Sequence, residues 1–220
     1  MPLSTAAMQG VFRDFEIDMR IVVDILAAAD KSTYFSELLN KFYGQGNATI
    51  TYPATTQGTR ADSPIQISID PFSTQYDKPG LPIVDFMLVV AHELAHAVLK
   101  DGYSIPGVQY NPDDAISNFR TVEGVARVAE LVVAVQLGTS YFHSSAGGSP
   151  TDPVSLRDKL LTIAETQQID ISKLTLGSTQ DLEFRSAGSL AVATAGTWAS
   201  TSVGSTNNYL NYDQSAAFFN

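Results

Sequence analysis

Residues 92 to 96 read His-Glu-Leu-Ala-His, set in the apolar run "VVAHELAHAVLKDGY" (89–103). The chain has three histidines, and two of them are here. An ionisable ring is costly to bury unless something binds it. Residues four apart on a helix share one face, and a rise of ~1.5 Å per residue separates His92 from His96 by roughly 6 Å along the axis. Both imidazoles can then reach one ion at the about 2.0–2.1 Å that zinc requires. Glu93 projects beside the pair, where a carboxylate can take a proton from a water acidified by the metal. The plainer alternative is a pair of satisfied core histidines, with Glu93 on the surface of an ordinary helix. The scarcity of histidine, the helical setting and the apolar wall favour the metal site.

The chain contains no cysteine. Disulfides, thiolate zinc sites and thiol nucleophiles are therefore excluded, and any zinc must use nitrogen and oxygen ligands. With 220 residues and 44% hydrophobic content, the chain is long enough for one domain with a real core. A formal net charge of −10, with no Lys/Arg cluster, argues against a nucleic-acid partner and against a polybasic membrane patch. The first twenty residues lack a basic segment followed by an apolar one, so they do not form a Sec-type signal. The most apolar stretch, 81–99, carries Asp85, His92, Glu93 and His96, which a membrane span rarely tolerates. The expectation is a soluble protein, either cytoplasmic or exported by a signal-less route.

"HELAH" resembles the active-site motif HExxH of the zincin metallopeptidases. The resemblance covers that helix and, more loosely, the helix after it and the strand before it. It implies a zinc-dependent endopeptidase acting on a peptide or protein, with His92 and His96 as metal ligands and Glu93 as general base. The metzincin extension HExxHxxGxxH is absent, because Leu99 stands at its glycine and the motif's last histidine is missing. The gluzincin branch instead takes a glutamate from a following helix. In "TVEGVARVAE" that residue is Glu123, beside a Gly124 that would allow close approach to the metal helix. Glu130, two turns further on, and His143, in a Gly/Ser-rich loop, are the other candidates for third ligand. His143 is also a candidate to stabilise an oxyanion, with Tyr103 and Tyr110 ranked below it. The competing reading of Glu123 is an i,i+4 ion pair with Arg127 on a solvated face.

The thermolysin-like third-ligand motif NExxSD is not matched: Val122 precedes Glu123, and Arg127 stands at the place of the aspartate. A carboxylate to orient a ligand histidine would then come from Asp101 or Asp85. In zincins an edge strand before the metal helix commonly binds substrate backbone, which makes residues 65–70 the corresponding candidate here.

These residues must be positioned by regular elements. Apolar spacing predicts helices over 11–30, 32–44 (stopped by Gly44), 82–102 (capped by Gly102) and 111–138 (capped by Asn111, with Pro112 in its first turn). A further helix is predicted over 155–168, with Ser155 and Asp158 as a capping arrangement. Period-two alternation predicts strands at 47–52 and 64–72, joined by the turn-rich 53–63 as a hairpin or irregular connection. From Ser186 to Tyr212 no residue is charged. The expected architecture is α+β and mostly helical: a zincin-like domain over 1–185, with a small sheet packed on the HExxH helix. Residues 186–220 then form a segment that is docked, extended or mobile. A metal-stabilised binding module, or a pseudo-peptidase acting as a secreted effector, is the alternative function. No pattern in the chain specifies a side-chain preference or an oligomeric state.

Overall fold

The computed structural model describes residues 19–46, 48–51, 60–63, 66–68, 83–99, 115–139 and 153–194. Six α-helices dominate them: α1 (Met19–Lys31), α2 (Thr33–Gly44), α3 (Ile83–Val98), α4 (Ala115–Gln136), α5 (Pro153–Thr166) and α6 (Thr179–Thr194). A 3-10 turn at Ile171–Lys173 links α5 to α6. No helix among the described residues is long and apolar enough to cross a membrane.

The strand component is slight. It comprises β1 (Thr49–Thr51), β2 (Arg60–Ser63) and β3 (Gln66–Ser68), each shorter than the ~5–6 residues usual in a sheet. The described part is mostly helical, as the sequence predicts, and the strands are too slight to make it an α+β domain, although β2 and β3 touch α3. The strand order is β1-β3-β2, with β1 parallel and β2 antiparallel to β3. The two predicted strands thus do not form a hairpin. They pair in parallel, which requires a long crossover, and the turn-rich connection itself supplies β2 next to β3.

Helices α3 and α4 form the centre. Every residue from Met87 to Ala95 in α3, and from Gly124 to Ala134 in α4, is buried. Burial around the whole circumference requires a helix apolar on all sides, and "VVAHELA" and "VARVAELVVA" meet that requirement except at their few charged positions. Helix α4 packs against α3 on one side and α6 on another. The α4–α6 approach depends on glycine: a Cβ on Gly124 would stand 2.7 Å from Ser189 Cα and 2.8 Å from its carbonyl oxygen. Gly124 therefore serves the contact with α6, not the approach to α3 expected from its place beside Glu123. Gly188 plays the reciprocal part, where a Cβ would meet Val128 Cγ2 at 2.4 Å.

Several boundaries differ from expectation for local reasons. Helix α5 starts at Pro153, whose fixed φ and missing N–H suit the first helical position. Ser155 and Asp158 consequently lie inside the helix and do not cap it. Gly138 does end α4, at φ +71. The Thr139 N–H donates to the Ala134 carbonyl at 3.0 Å, and the Gly138 N–H to that of Val135 at 3.0 Å. That is a Schellman ending. The boundary expected after residue 185 falls within α6, so residues 186–194 belong to the packed body. The Gly102 and Asn111–Asp114 caps, and residues 195–220, lie outside the described residues.

Polar groups join the helix ends. Ser32 separates α1 from α2: its hydroxyl oxygen accepts from the Phe35 N–H at 3.1 Å, capping α2. The same hydroxyl donates to Gln136 Oε1 at 2.8 Å, and the Gln136 amide donates to the Leu174 carbonyl at 2.8 Å. One side chain at the end of α4 thus fixes both the start of α2 and the turn before α6.

The packing predicts opposite outcomes for two glycines. In Gly124→Ala, overpacking costs about 1–3 kcal/mol and exceeds the ~1 kcal/mol gained in helix propensity, because the clash is with backbone. Urea unfolding should show a net loss for this variant. Gly44→Ala, where a Cβ meets nothing within 4 Å, should be neutral or slightly stabilising.

Candidate functional site

The helical repeat brings His92 and His96 together as their spacing predicts. Their Nε2 atoms lie 3.0 Å apart, and the rings meet edge to face with centroids 4.7 Å apart. His92 and Glu93 are buried and His96 is half-buried. Two nitrogens bound to one zinc at about 2.0–2.1 Å with a tetrahedral angle stand ~3.3 Å apart. A spread of a few tenths of an ångström would therefore convert the present contact into a ligand pair. Neutral imidazoles also belong to the nitrogen and oxygen donor set to which a cysteine-free chain is restricted. On geometry and donor type, the two histidines fit the ion.

Glu130 takes a different place from that of a third ligand. Its Oε2 lies 3.4 Å from His92 Nδ1, the ring nitrogen on the far side from the one facing His96. The same oxygen accepts from Arg127 Nη1 at 2.9 Å. Glu130 is 0% exposed and Arg127 1%. Arg127 thus does not sit on a solvated face, as its pairing with Glu123 would require. It is among the largest fully buried side chains of the described residues, and it pairs with Glu130, one turn later. A carboxylate that contacts Nδ1 does not converge with the Nε2 pair, which removes Glu130 from the ligand candidates. Among the described residues, no group of three His, Cys, Asp or Glu is placed to hold a metal ion.

Glu123 lies on α4, and by the helical period it occupies the same side as Glu130, roughly 10 Å earlier along the axis. Its side chain is outside the described residues, as are His143, Tyr103, Tyr110, Asp101 and the side chain of Asp85. Residues 66–68 of the expected substrate strand form β3, which has β1 on one side and β2 on the other. A strand flanked on both sides has no free edge for a peptide. Residues 66–68 therefore do not form the substrate-binding edge expected of them, and residues 65, 69 and 70 lie outside the described residues.

A second buried ionic cluster shows what a closed arrangement looks like. Asp181 accepts from the Tyr34 hydroxyl at 2.7 Å, from the Gly177 N–H at 2.7 Å and from Arg185 Nη2 at 2.8 Å. Burial, reinforced by the Asp181 charge, pushes the Tyr34 phenol well above its ordinary range, so it remains a donor. Both carboxylate oxygens are occupied, and the cluster joins α2 to α6. This network was legible only as an i,i+4 Asp–Arg pair in "DLEFR", and Arg127 with Glu130 only as two charges in an otherwise apolar helix. Neither pattern names the distant partner.

Comparison with protein-family models, with characterised proteins and with solved structures finds no match to this chain. The functional reading rests on the residues themselves.

Breaking a buried ion pair from one side leaves an uncompensated charge and typically costs ~3–5 kcal/mol. Arg127→Met should therefore be strongly destabilised in urea unfolding. The double variant Arg127→Met/Glu130→Gln should recover a substantial part of that loss. A double variant no more stable than the single one would show that the two residues are not coupled.

Proposed function

We propose that this protein is a zinc-dependent endopeptidase. The observation that carries the reading is the 3.0 Å convergence of the His92 and His96 Nε2 atoms, with Glu93 on the same turn of a buried helix. In this reading His92 and His96 hold the ion, and Glu123 of α4 completes the ligand set from the side of α4 that also carries Glu130. The domain is zincin-like in the sense of its metal helix, with β2 and β3 lying against that helix. When bound, zinc acidifies water and polarises a substrate carbonyl.

The protein's own groups do the rest. Glu93 accepts the proton of the attacking water and passes it to the leaving amine, work suited to a carboxylate in a partly dehydrated setting. The apolar wall of α3 and α4 excludes bulk water from that exchange. His143 is the candidate donor to the oxyanion that forms on the carbonyl oxygen. The substrate is a peptide or protein segment, and the acidic chain has no basic surface composition suited to a nucleic acid.

A second reading takes the histidine pair as a structural clip in a binding protein. It draws on the 3.0 Å contact itself, which a hydrogen bond between one protonated and one unprotonated Nε2 also satisfies. Zinc content separates the two. Protein purified without metal-affinity steps should carry about one zinc per chain. His96→Ala and Glu123→Ala should lose most of it. Full zinc content in Glu123→Ala would remove Glu123 from the ligand set.

Glu93→Gln provides the mechanistic test. It should keep its zinc and lose about 10²–10⁴-fold in peptide cleavage, the usual contribution of a positioned general base. Unchanged cleavage by a zinc-loaded Glu93→Gln would overturn the mechanism.

A further inference from the structure

We infer that residues 169–176, between α5 and α6, form a strap that lifts as one rigid piece while the helices beneath it stay in place. The inference does not depend on the zinc reading.

The strap is bounded by two residues with left-handed backbone, Gln168 at φ +57 and Gly177 at φ +78. Residues other than glycine seldom adopt that conformation, and a few positions at the ends of elements are where a hinge absorbs its rotation. Between them the segment is bonded to itself. The Lys173 N–H donates to the Asp170 carbonyl at 3.0 Å, and the Leu174 N–H to that of Ile171 at 3.2 Å. The Asp170 carboxylate accepts from the Ser172 hydroxyl at 2.5 Å and pairs with Lys173 Nζ at 2.7 Å. Such a segment moves as a body instead of unravelling.

Its outer side, with Asp170, Ser172, Lys173 and Thr175, is exposed. On the inner side, side chains from three different helices hold its backbone. Gln136 of α4 donates to the Leu174 carbonyl at 2.8 Å. The Leu176 N–H donates to Glu37 Oε2 of α2 at 2.6 Å, and the Gly177 N–H to Asp181 Oδ2 of α6 at 2.7 Å. Water can replace each of these bonds, so the net contribution of each is modest. Lifting also uncovers Ile169, Ile171 and Leu174, whereas parting α2 from the core would uncover Tyr34, Phe35, Leu38, Leu39 and Phe42.

The frame beneath keeps bonds of its own. Gln136 still accepts from the Ser32 hydroxyl and the Tyr34 N–H, and Asp181 from the Tyr34 hydroxyl and Arg185. Helix α6 stays seated on α4 through the Gly124–Ser189 and Gly188–Val128 approaches, which involve no strap residue. The smallest opening at this end therefore separates strap from frame and leaves the frame intact.

Amide hydrogen exchange by NMR on the full chain, in a series of low denaturant concentrations, tests this. The Leu176 and Gly177 amides are held by different helices, yet they should show equal protection and the same shallow denaturant dependence. The Tyr34 and Phe35 amides, held within the frame, should be better protected with a steeper dependence, because more surface is exposed when they open. Glu37→Gln should speed Leu176 and Gly177 alike by about 5–30-fold, the part of a charge-assisted hydrogen bond that a neutral amide does not replace. Tyr34 and Phe35 should be unchanged. Gly177→Ala, whose Cβ meets nothing within 4 Å and which acts through φ alone, should give the same pattern. Gly46→Ala, at φ +72 and equally open, should not. Acceleration of Leu176 alone in Glu37→Gln would overturn the rigid strap. Equal acceleration of Tyr34 and Phe35 would overturn it too, because the whole end would then open together. If Glu37→Gln does not fold, the native denaturant series and Gly177→Ala decide on the same criteria.

Discussion

A carboxylate with no solvent-exposed surface, Glu130, constrains the centre of this protein. A buried carboxyl group is costly to leave without polar partners, so Glu130 can sit there only where such groups meet it. Arg127 meets it from the same helix at 2.9 Å, and His92 Nδ1 of the next helix lies 3.4 Å from the same oxygen. The requirement therefore fixes the rotation of α4 about its own axis and its axial position relative to α3. The other faces of α4 must then accept what that rotation leaves them, and the side bearing Gly124 is filled by Ser189 of α6.

This arrangement explains the composition of α4. Over residues 124–134 the helix is enclosed on every side, and enclosure leaves room for small residues, aliphatic residues and charges that neutralise one another. Gly124 provides the close approach to α6, while Ala126, Ala129 and Ala134 are buried with Val125, Val128, Leu131, Val132 and Val133. Gln136, just beyond the enclosed stretch, collects polar ends from α2 and the 3-10 turn. A single helix thus carries the packing of the body and the polar group behind His92, so stability and site geometry share the same residues.

The two buried ionic clusters differ in what they leave available. Asp181 is surrounded by donors that occupy both its oxygens, and the result is a fastening between α2 and α6. The cluster at His92 ends instead in two imidazole nitrogens facing each other at 3.0 Å. A fastening needs only satisfied groups. A pair of converging donor atoms on a half-buried rim is the feature that supports binding, and Glu93 beside it supports chemistry.

What the sequence by itself determined is what depends on a single helical repeat or a local backbone preference. The meeting of His92 and His96 follows from a spacing of four, the start of α2 from Ser32, and the end of α4 from Gly138 at positive φ. Each involves residues within one or two turns of one another, where bond geometry leaves few alternatives. The partners across the core were decided only by the tertiary structure. Gly124 meets α6 rather than α3, Arg127 is buried rather than solvated, Glu130 contacts Nδ1 rather than joining the Nε2 pair, and β3 is a central strand rather than an edge. Each of these depends on which faces of distant segments come together. That choice is set by the simultaneous burial of every apolar and charged group on α3, α4 and α6, a condition that no local pattern in the chain expresses.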